Sequence, residues 1–430
     1  MSNTLLKSTH HADPDFDEVL ASLERRGEAD LGVVEAQVRD ILAAVRQEGD
    51  AAVRRFVEMY ERRSVDSLLI EDYGGETALE LLPEAVRDGL VLGAERVRRY
   101  HEKQAEQLRS FEYTQDGITL GSRVLPLPRV GIYVPGGKAR YPSSVLMTAI
   151  IASVAGVGEI IVASPDSCPE VRAACHLAGV HAILDAGGAQ AIAALAYGTE
   201  SVARVDKIVG PGNIYVAAAK RLVFGDVAID SIAGPSEILV IADDTATPAV
   251  VAADLLSQAE HDEAAYPLLL STSAELVESV CEQIEVQLAT LPREPIARAC
   301  LERNGRALVV PDRTALVEVA NRLAAEHVAI QVRDPRQLAE RVEHGGALFI
   351  GPATPEAVGD YVAGPSHVLP TGGAARFSAP LGVYDFVARS SLITYDGVAL
   401  ARHAESVSAL ARAEGLEAHA RAVEVRLPKT

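Results

Sequence analysis

The sequence predicts an α/β protein built on two parallel sheets, with helical segments at both ends. Three observations carry this: strands that read as continuous apolar runs, small-residue helices that alternate with them from residue 129 onward, and charged, helix-periodic stretches before that point. A chain of 430 residues buries large cores and suggests about two to four domains.

Up to about residue 110, "VVEAQVRDILAAVRQEGDAAVRRFVEMYERR" and "LPEAVRDGLVLGAERVRRYHEKQAEQLRSF" repeat apolar residues every three to four positions, with solvated charges between them. "FEYTQDGITLGSRVLPLP" then predicts a hairpin, because Asp116-Gly117 stands at a turn with alternation on either side. From residue 129 "RVGIYVPGG" leads into "SSVLMTAIIASVAGV", "EIIVASP" into "PEVRAACHLAG", "HAILDAGG" into "AQAIAALAYG", and "KIVGPGN" into "IYVAAAKRLVFG". After "DSIAGPSEILVIADD" the alternation resumes: the helix "TPAVVAADLLSQAEHD", strand "YPLLLST", helix "AELVESVCEQIEVQLATL", strand "RALVVPD", helix "TALVEVANRLAAEH", strand "VAIQV", helix "PRQLAERVEHGG" and strand "ALFIGP". Two such sets point to a gene-duplication or paired-domain architecture, although no repeat is visible in the letters themselves. The closing stretch "VALARHAESVSALARAEGLEAHARAVEV" is a helical tail without a core of its own, which points to docking on another domain or another subunit.

Bulk properties exclude several classes of partner. A formal net charge of −20 repels a nucleic-acid backbone and an anionic membrane surface alike. The longest apolar run, "SSVLMTAIIASVAGVG", is broken by Ser and Gly and does not span a bilayer. The N-terminus lacks a basic segment followed by an apolar core, so the cytoplasm is the expected location. Cys168, Cys175, Cys281 and Cys300 show no CxxC spacing and read as reduced and structural.

Three glycine-bearing strand ends, "YVPGGKARYPSS", "DAGGAQAIAAL" and "VGPGNIYVAAAK", fall where a parallel sheet places its ligands. Each alone reads as a tight turn; three in one domain point to a nucleotide or another phosphate-bearing cofactor. Tyr133, Gln190 and Asn213 stand beside them with groups suited to a base, a ribose or a phosphate. In "SQAEHD", Gln258 and His261 are three apart and share one side of a helix, although polar helix ends are normally just solvated. Together with Asp360 and His419 they would supply an open N/O metal site of the catalytic kind, but spacing makes neighbours of Gln258 and His261 only.

The blocks "GIYVPGG", "GPGNIYV", "DSIAGPSEILVIAD", "DLLSQAEHD", "AAEHV", "GDYVAGPSHVLPT" and "EGLEAHARAV" resemble, in order and over nearly the whole chain, the histidinol dehydrogenase family. The resemblance implies oxidation of L-histidinol through the aldehyde to L-histidine with two NAD molecules in succession. It makes Gln258, His261, Asp360 and His419 the ligands of one Zn²⁺ per subunit, and Glu326 and His327 the acid/base pair. Ser236 and Glu414 become substrate contacts, joined by Gln258, His261, His327, Asp360, His367 and His419, while Tyr133, Gln190 and Asn213 match the NAD-binding positions. It also implies a homodimer with shared active sites. Pro365-Ser366 stands where the family has a Thr-Asn type pair before the histidine, a departure that touches the geometry of the His367 loop.

The expected architecture is therefore two Rossmann-like parallel-sheet domains, one inserted in the other. An N-terminal helical segment covers 1–25, and 26–128 with 237–381 form a discontinuous domain carrying the metal and acid/base residues. The NAD-binding domain is inserted at 129–236, and 382–430 is a helical tail docking on the partner subunit. Three rivals stand beside this reading. A thiol-dependent aldehyde dehydrogenase needs a reactive cysteine, and the four cysteines lie in ordinary helical contexts. A dehydrogenase of the same fold for another small alcohol is disfavoured by His327, His367 and Glu414, and a non-catalytic binder by the Glu326-His327 pair.

Overall fold

The computed structural model describes residues 5–27, 31–136, 141–232 and 234–428. Strand β1 (Lys7–His10) and helix α1 (Phe16–Glu24) come first. Helices α2 (Gly32–Glu48) and α3 (Asp50–Phe56) run into a π-helical turn at Val57–Glu61, followed by β2 (Leu69–Ile70), α4 (Gly75–Leu81) and α5 (Glu84–Ala105). The hairpin of β3 (Phe111–Gln115) and β4 (Ile118–Pro126) turns on Asp116 and Gly117, both at positive φ, as the twist of a two-residue connection requires.

Strand and helix then alternate: β5 (Arg129–Tyr133), α6 (Pro142–Ala155), β6 (Glu159–Ala163), α7 (Pro169–Ala178), β7 (Ala182–Leu184), α8 (Gly188–Tyr197), β8 (Lys207–Val209), α9 (Ile214–Val223) and β9 (Ala228–Ile229). These strands form the first sheet, in the order β2-β7-β6-β5-β8-β9, parallel except for β2. The second series runs β10 (Glu237–Ala242), α10 (Pro248–Ala259), β11 (Tyr266–Ser271), α11 (Ala274–Leu288), α12 (Glu294–Asn304), β12 (Arg306–Val309), α13 (Arg313–Leu323), β13 (His327–Gln331), α14 (Pro335–Ala339), β14 (Ala347–Ile350) and α15 (Glu356–Tyr361). Its sheet is parallel throughout, in the order β1-β12-β11-β10-β13-β14. The chain closes with β15 (Val387–Tyr395), α16 (Gly397–Ala413) and α17 (Glu417–Glu424).

The packing corrects three expectations. Helices α2 to α5 lie on the first sheet's layers, not with residues 237–381: Val38, Ile41 and Val45 join Ile192 and Leu195, and Leu90 and Val97 join Val145 and Ile150. The reason lies in α6 and α8, which are buried over most of their length. A helix apolar all round needs a further layer outside it, and the amphipathic helices of residues 32–105 supply that layer. Second, the first 25 residues are not just helical, because β1 extends the second sheet while Phe16, Leu20 and Leu23 of α1 pack against Leu239, Leu316 and Val328. Third, the tail from residue 382 begins with a strand, since β15 pairs antiparallel with β4 along its whole length. Helix α12 is also present where the sequence reading ran straight from α11 to β12.

Candidate active site

The first sheet reverses its strand order between β5 and β8, and a cleft of about 700 Å³ opens beside the carboxyl ends of its strands. Gly210, at φ +114°, lets the "GPGN" loop cross the end of β5; a Cβ there would overlap the carbonyl oxygen of Tyr133. The loop is held from below: Asp230 Oδ2 accepts from the Gly210 N–H (2.8 Å), and the Lys220 ammonium donates to the Gly210 carbonyl (2.9 Å). Tyr133, Gln190 and Asn213 all line this cleft. Each is already engaged within the protein. The Tyr133 hydroxyl accepts from the Gly188 N–H at the start of α8 (3.0 Å), and Asn213 caps α9 by accepting from Tyr215 and Val216 (3.1 and 3.2 Å). Gln190 donates to Glu61 (3.4 Å), which also accepts from the Gly187 N–H (2.9 Å). Burial pushes the Tyr133 phenol above its ordinary range, so it stays protonated.

A second cleft, of about 760 Å³, lies between the two sheets and shares Pro135 and Asn213 with the first. Ser236, Gln258, His261, Glu326, His327, Asp360 and His367 line it together with Glu356. Gln258 sits in the last turn of α10, and His261 follows just past its end. One ligand atom from each of His261, Glu356 and Asp360 falls within 4.8 Å of the others. Gln258 is 1% exposed, and its Oε1 has no hydrogen-bond partner. A buried acceptor left unmatched carries a desolvation penalty that a bound cation removes, so this N/O set fits a divalent metal.

Glu356 is the member that sequence reasoning missed. It stands four residues before Asp360 on α15, on the same helical face, and that spacing was the available signal. His419 and Glu414 do not join the cluster within one chain. Both are exposed, on the arm formed by α16 and α17.

The acid/base candidates do not end a helix, as their sequence context suggested. Helix α13 stops at Leu323, Ala324 turns left-handed at φ 46°, and His327 becomes the first residue of β13. Glu326 and His327 are each 5% exposed. Glu326 Oε2 accepts from the Glu237 N–H (2.9 Å), and His327 Nδ1–H donates to the Glu237 carbonyl (2.9 Å). A carbonyl only accepts, so Nδ1 carries the proton and Nε2, 3.7 Å from Glu356 Oε1, is the basic nitrogen. Burial works against charge on His327, but the nearby Glu326 and Glu356 carboxylates override it and push the imidazole up to about 10. Burial likewise pushes Glu356 up to about 7, against the pull of His327. It holds His367 below the usual histidine range, where Nδ1–H donates to the Asp360 carbonyl (3.2 Å). The Pro365-Ser366 departure leaves this loop well anchored: Ser366 Oγ donates to the Met147 carbonyl (2.9 Å) and accepts from the Val368 N–H (3.1 Å).

Fold and clefts together define a class: an α/β enzyme built on two parallel sheets, with its candidate reactive groups lining the space between them. The chain belongs to the histidinol dehydrogenase family, whose model, described as "Histidinol dehydrogenase", matches residues 24–427. It is 50% identical over 419 residues to the histidinol dehydrogenase of Aquifex aeolicus, covering 96% of each chain. It is 49% identical over 430 residues to that of Pseudomonas aeruginosa, covering 98% of this chain and 97% of the relative. The crystal structure of histidinol dehydrogenase from Elizabethkingia anophelis superposes with a TM-score of 0.91 at 30% identity, covering 98% of both chains. Among the described residues no helix is long and apolar enough to cross a membrane, and no disulfide joins the cysteines.

Proposed function

We propose that this member of the family oxidises L-histidinol to L-histidine in two NAD-linked steps at the cleft between the sheets. The observation that carries the reading is one juxtaposition: His327 Nε2 lies 3.7 Å from a carboxylate of the His261–Glu356–Asp360 cluster, with Glu326 on the other side of the ring. In the first step His327 Nε2 accepts the hydroxyl proton of the alcohol as a hydride leaves the same carbon. In the second, Glu326 takes a proton from water as the water oxygen bonds to the aldehyde carbon while protonated His327 gives its Nε2 proton to the carbonyl oxygen; the hydrate then returns a proton to His327 Nε2 as the second hydride leaves. Glu326 and His327 are almost wholly buried, which keeps bulk water from competing.

NAD, when bound along the first cleft with Tyr133, Gln190 and Asn213, supplies the hydride acceptor. Zn²⁺, when bound by Gln258, His261 and Asp360, supplies a Lewis acid that orients the amine and imidazole nitrogens of the substrate. A dication held beside Glu356 and Asp360 would offset the negative field that raises the His327 imidazole and so would favour its neutral, proton-accepting form. Ser236 and His367 line the substrate region. The remaining residues, His419 and Glu414, reach it from a second copy of the chain. Support for that assembly comes from apolar side chains left exposed on the β3–β4–β15 sheet and the arm, among them Ile393, Val398 and Leu410 at 68 to 70% exposure. The reading is that of a cytoplasmic biosynthetic homodimer.

The test is NADH formation followed spectrophotometrically with histidinol. The reading expects activity that prolonged chelation abolishes and added Zn²⁺ restores. Full turnover in protein shown by elemental analysis to hold no metal overturns the metal assignment, and no NADH from the metal-loaded protein overturns the reaction.

A further inference from the structure

Residue Glu237 touches both acid/base groups, and it does so with its backbone. Its N–H holds the Glu326 carboxylate and its C=O holds His327 Nδ1–H, each at 2.9 Å. One peptide segment therefore sets both orientations. Strand pairing holds that segment on one side alone: Glu237, the first residue of β10, pairs with Tyr266 of β11, whereas pairing with β13 begins only at Ile238, opposite His327.

What fixes it is the side chain. Glu237 stands at the head of the strand "EILVIA", otherwise wholly apolar, and pairs with Arg26; both side chains are 1% exposed. Arg26 Nε donates to Glu237 Oε2 (2.8 Å), and Nη2 reaches the same oxygen. The other carboxylate oxygen accepts from the Gly372 N–H, in the loop that follows His367. Two further N–H groups of Arg26 donate to the carbonyls of Leu23 and Leu323, both at 2.8 Å. Leu323 is the last residue of α13, three before Glu326. A single guanidinium thus ties the N-terminal segment, the head of β10 and the approach to the acid/base pair. Stability does not demand this arrangement, because a buried ion pair is commonly replaced by apolar residues of similar volume without loss.

We propose that the Arg26–Glu237 pair is a positioning device for the acid/base residues, holding the peptide that aims Glu326 and His327 at the substrate. This rests on the reading that those two residues carry the proton steps.

Two variants test it. Arg26→Lys keeps the charge and loses the planar fork, and the double change Arg26→Met with Glu237→Met removes the pair at similar volume. For each, kcat, KM for both substrates and bound metal are measured on the zinc-loaded enzyme, and the His327 Nδ1–H resonance is followed with ¹⁵N-histidine labelling, assigned by its loss in His327→Asn. The expected result is folded, metal-loaded protein with unchanged KM, kcat lower by roughly ten- to a hundred-fold, and a displaced or broadened Nδ1–H signal. Turnover within about two-fold of the parent, with the resonance in place, overturns the proposal. Loss of kcat accompanied by lost metal, or failure of both variants to fold, overturns it too, because the pair then only holds the fold. Wild-type turnover in His327→Asn and Glu326→Gln would instead remove the underlying reading, a result independent of either Arg26 variant.

Discussion

The two six-stranded sheets share a strand order yet work from opposite ends. In both, three strands run outward from a central one and the next two continue on its other side. The first sheet offers its carboxyl ends to the cleft, with Pro135 after β5 and the "GPGN" loop after β8, as the switch-point rule for open α/β sheets expects. The second sheet has closed the equivalent crevice. At the carboxyl end of β13, Gln331 pairs with Asp254 of α10; at that of β10, Asp243 accepts from the Arg333 N–H (2.9 Å) and from Thr245. Its candidate reactive groups stand instead at the amino ends, Ser236 just before β10 and Glu326 and His327 at the head of β13. A switch point is available to a ligand only where glycines leave it open; filled by side chains, it becomes core, and the other end of the sheet is free to carry a site.

Mutations at the two ends of the second sheet should therefore fail differently. At the amino end, His327→Asn should lower kcat about 10²- to 10⁴-fold for both histidinol and histidinaldehyde, measured by steady-state NADH formation, because the base serves both steps. Next in size is a shared-site effect. When His261→Ala and His419→Ala subunits exchange chains, random pairing leaves roughly half the dimers with one intact site, so activity should recover to about a quarter of wild type. A mixture that stays inactive, with exchange confirmed by differently tagged chains, would place His419 in its own subunit's site.

At the carboxyl end the expected change is in stability. Burial raises the Asp254 carboxyl to about 6, above the ordinary aspartate range. The native state then keeps a proton that the unfolded chain releases, so this group's contribution to stability falls as pH rises from about 4 to about 6 and stays low above that. Asp254→Asn removes that loss and offers an amide N–H to Gln331 Oε1, which is buried without a partner. Denaturant unfolding at pH 7 should show a gain of about 1–3 kcal/mol and a flatter dependence between pH 4 and 6, with kcat within about two-fold. The smallest effect belongs to the thiols away from both clefts. Replacing Cys175, Cys281 and Cys300 by Ala should leave kcat unchanged, and a lost activity would revive cysteine chemistry.

The contrast also shows what the sequence made legible. The alternation of strands and small-residue helices, and the Asp116-Gly117 hairpin, are local signals and appear where periodicity put them. The outer position of α2 to α5 is a tertiary choice between two sheets that both accept amphipathic helices, and no local pattern distinguishes them. β15 alternates too weakly, as "VARSSLITY", to announce a strand without its partner β4 in view. Within the site, Gln258 and His261 were readable from helical spacing, whereas no spacing joined Asp360 to them and the role of His327 came through the family resemblance. Glu356 shares a helical face with Asp360, but a glutamate on a helix is ordinarily solvated, and only its 2% exposure reveals the different role. The Glu326-His327 turn depends on a left-handed alanine, which no glycine marks in the letters.

The most direct test of the account is the NADH yield from a limiting amount of histidinol with the Glu326→Gln variant. If Glu326 activates water only for the second step, the wild-type enzyme yields two NADH per histidinol, and the variant releases the first at near-normal rate and stalls at the aldehyde. Equal slowing of both steps in the variant, with two NADH still formed, would contradict the division of labour between Glu326 and His327.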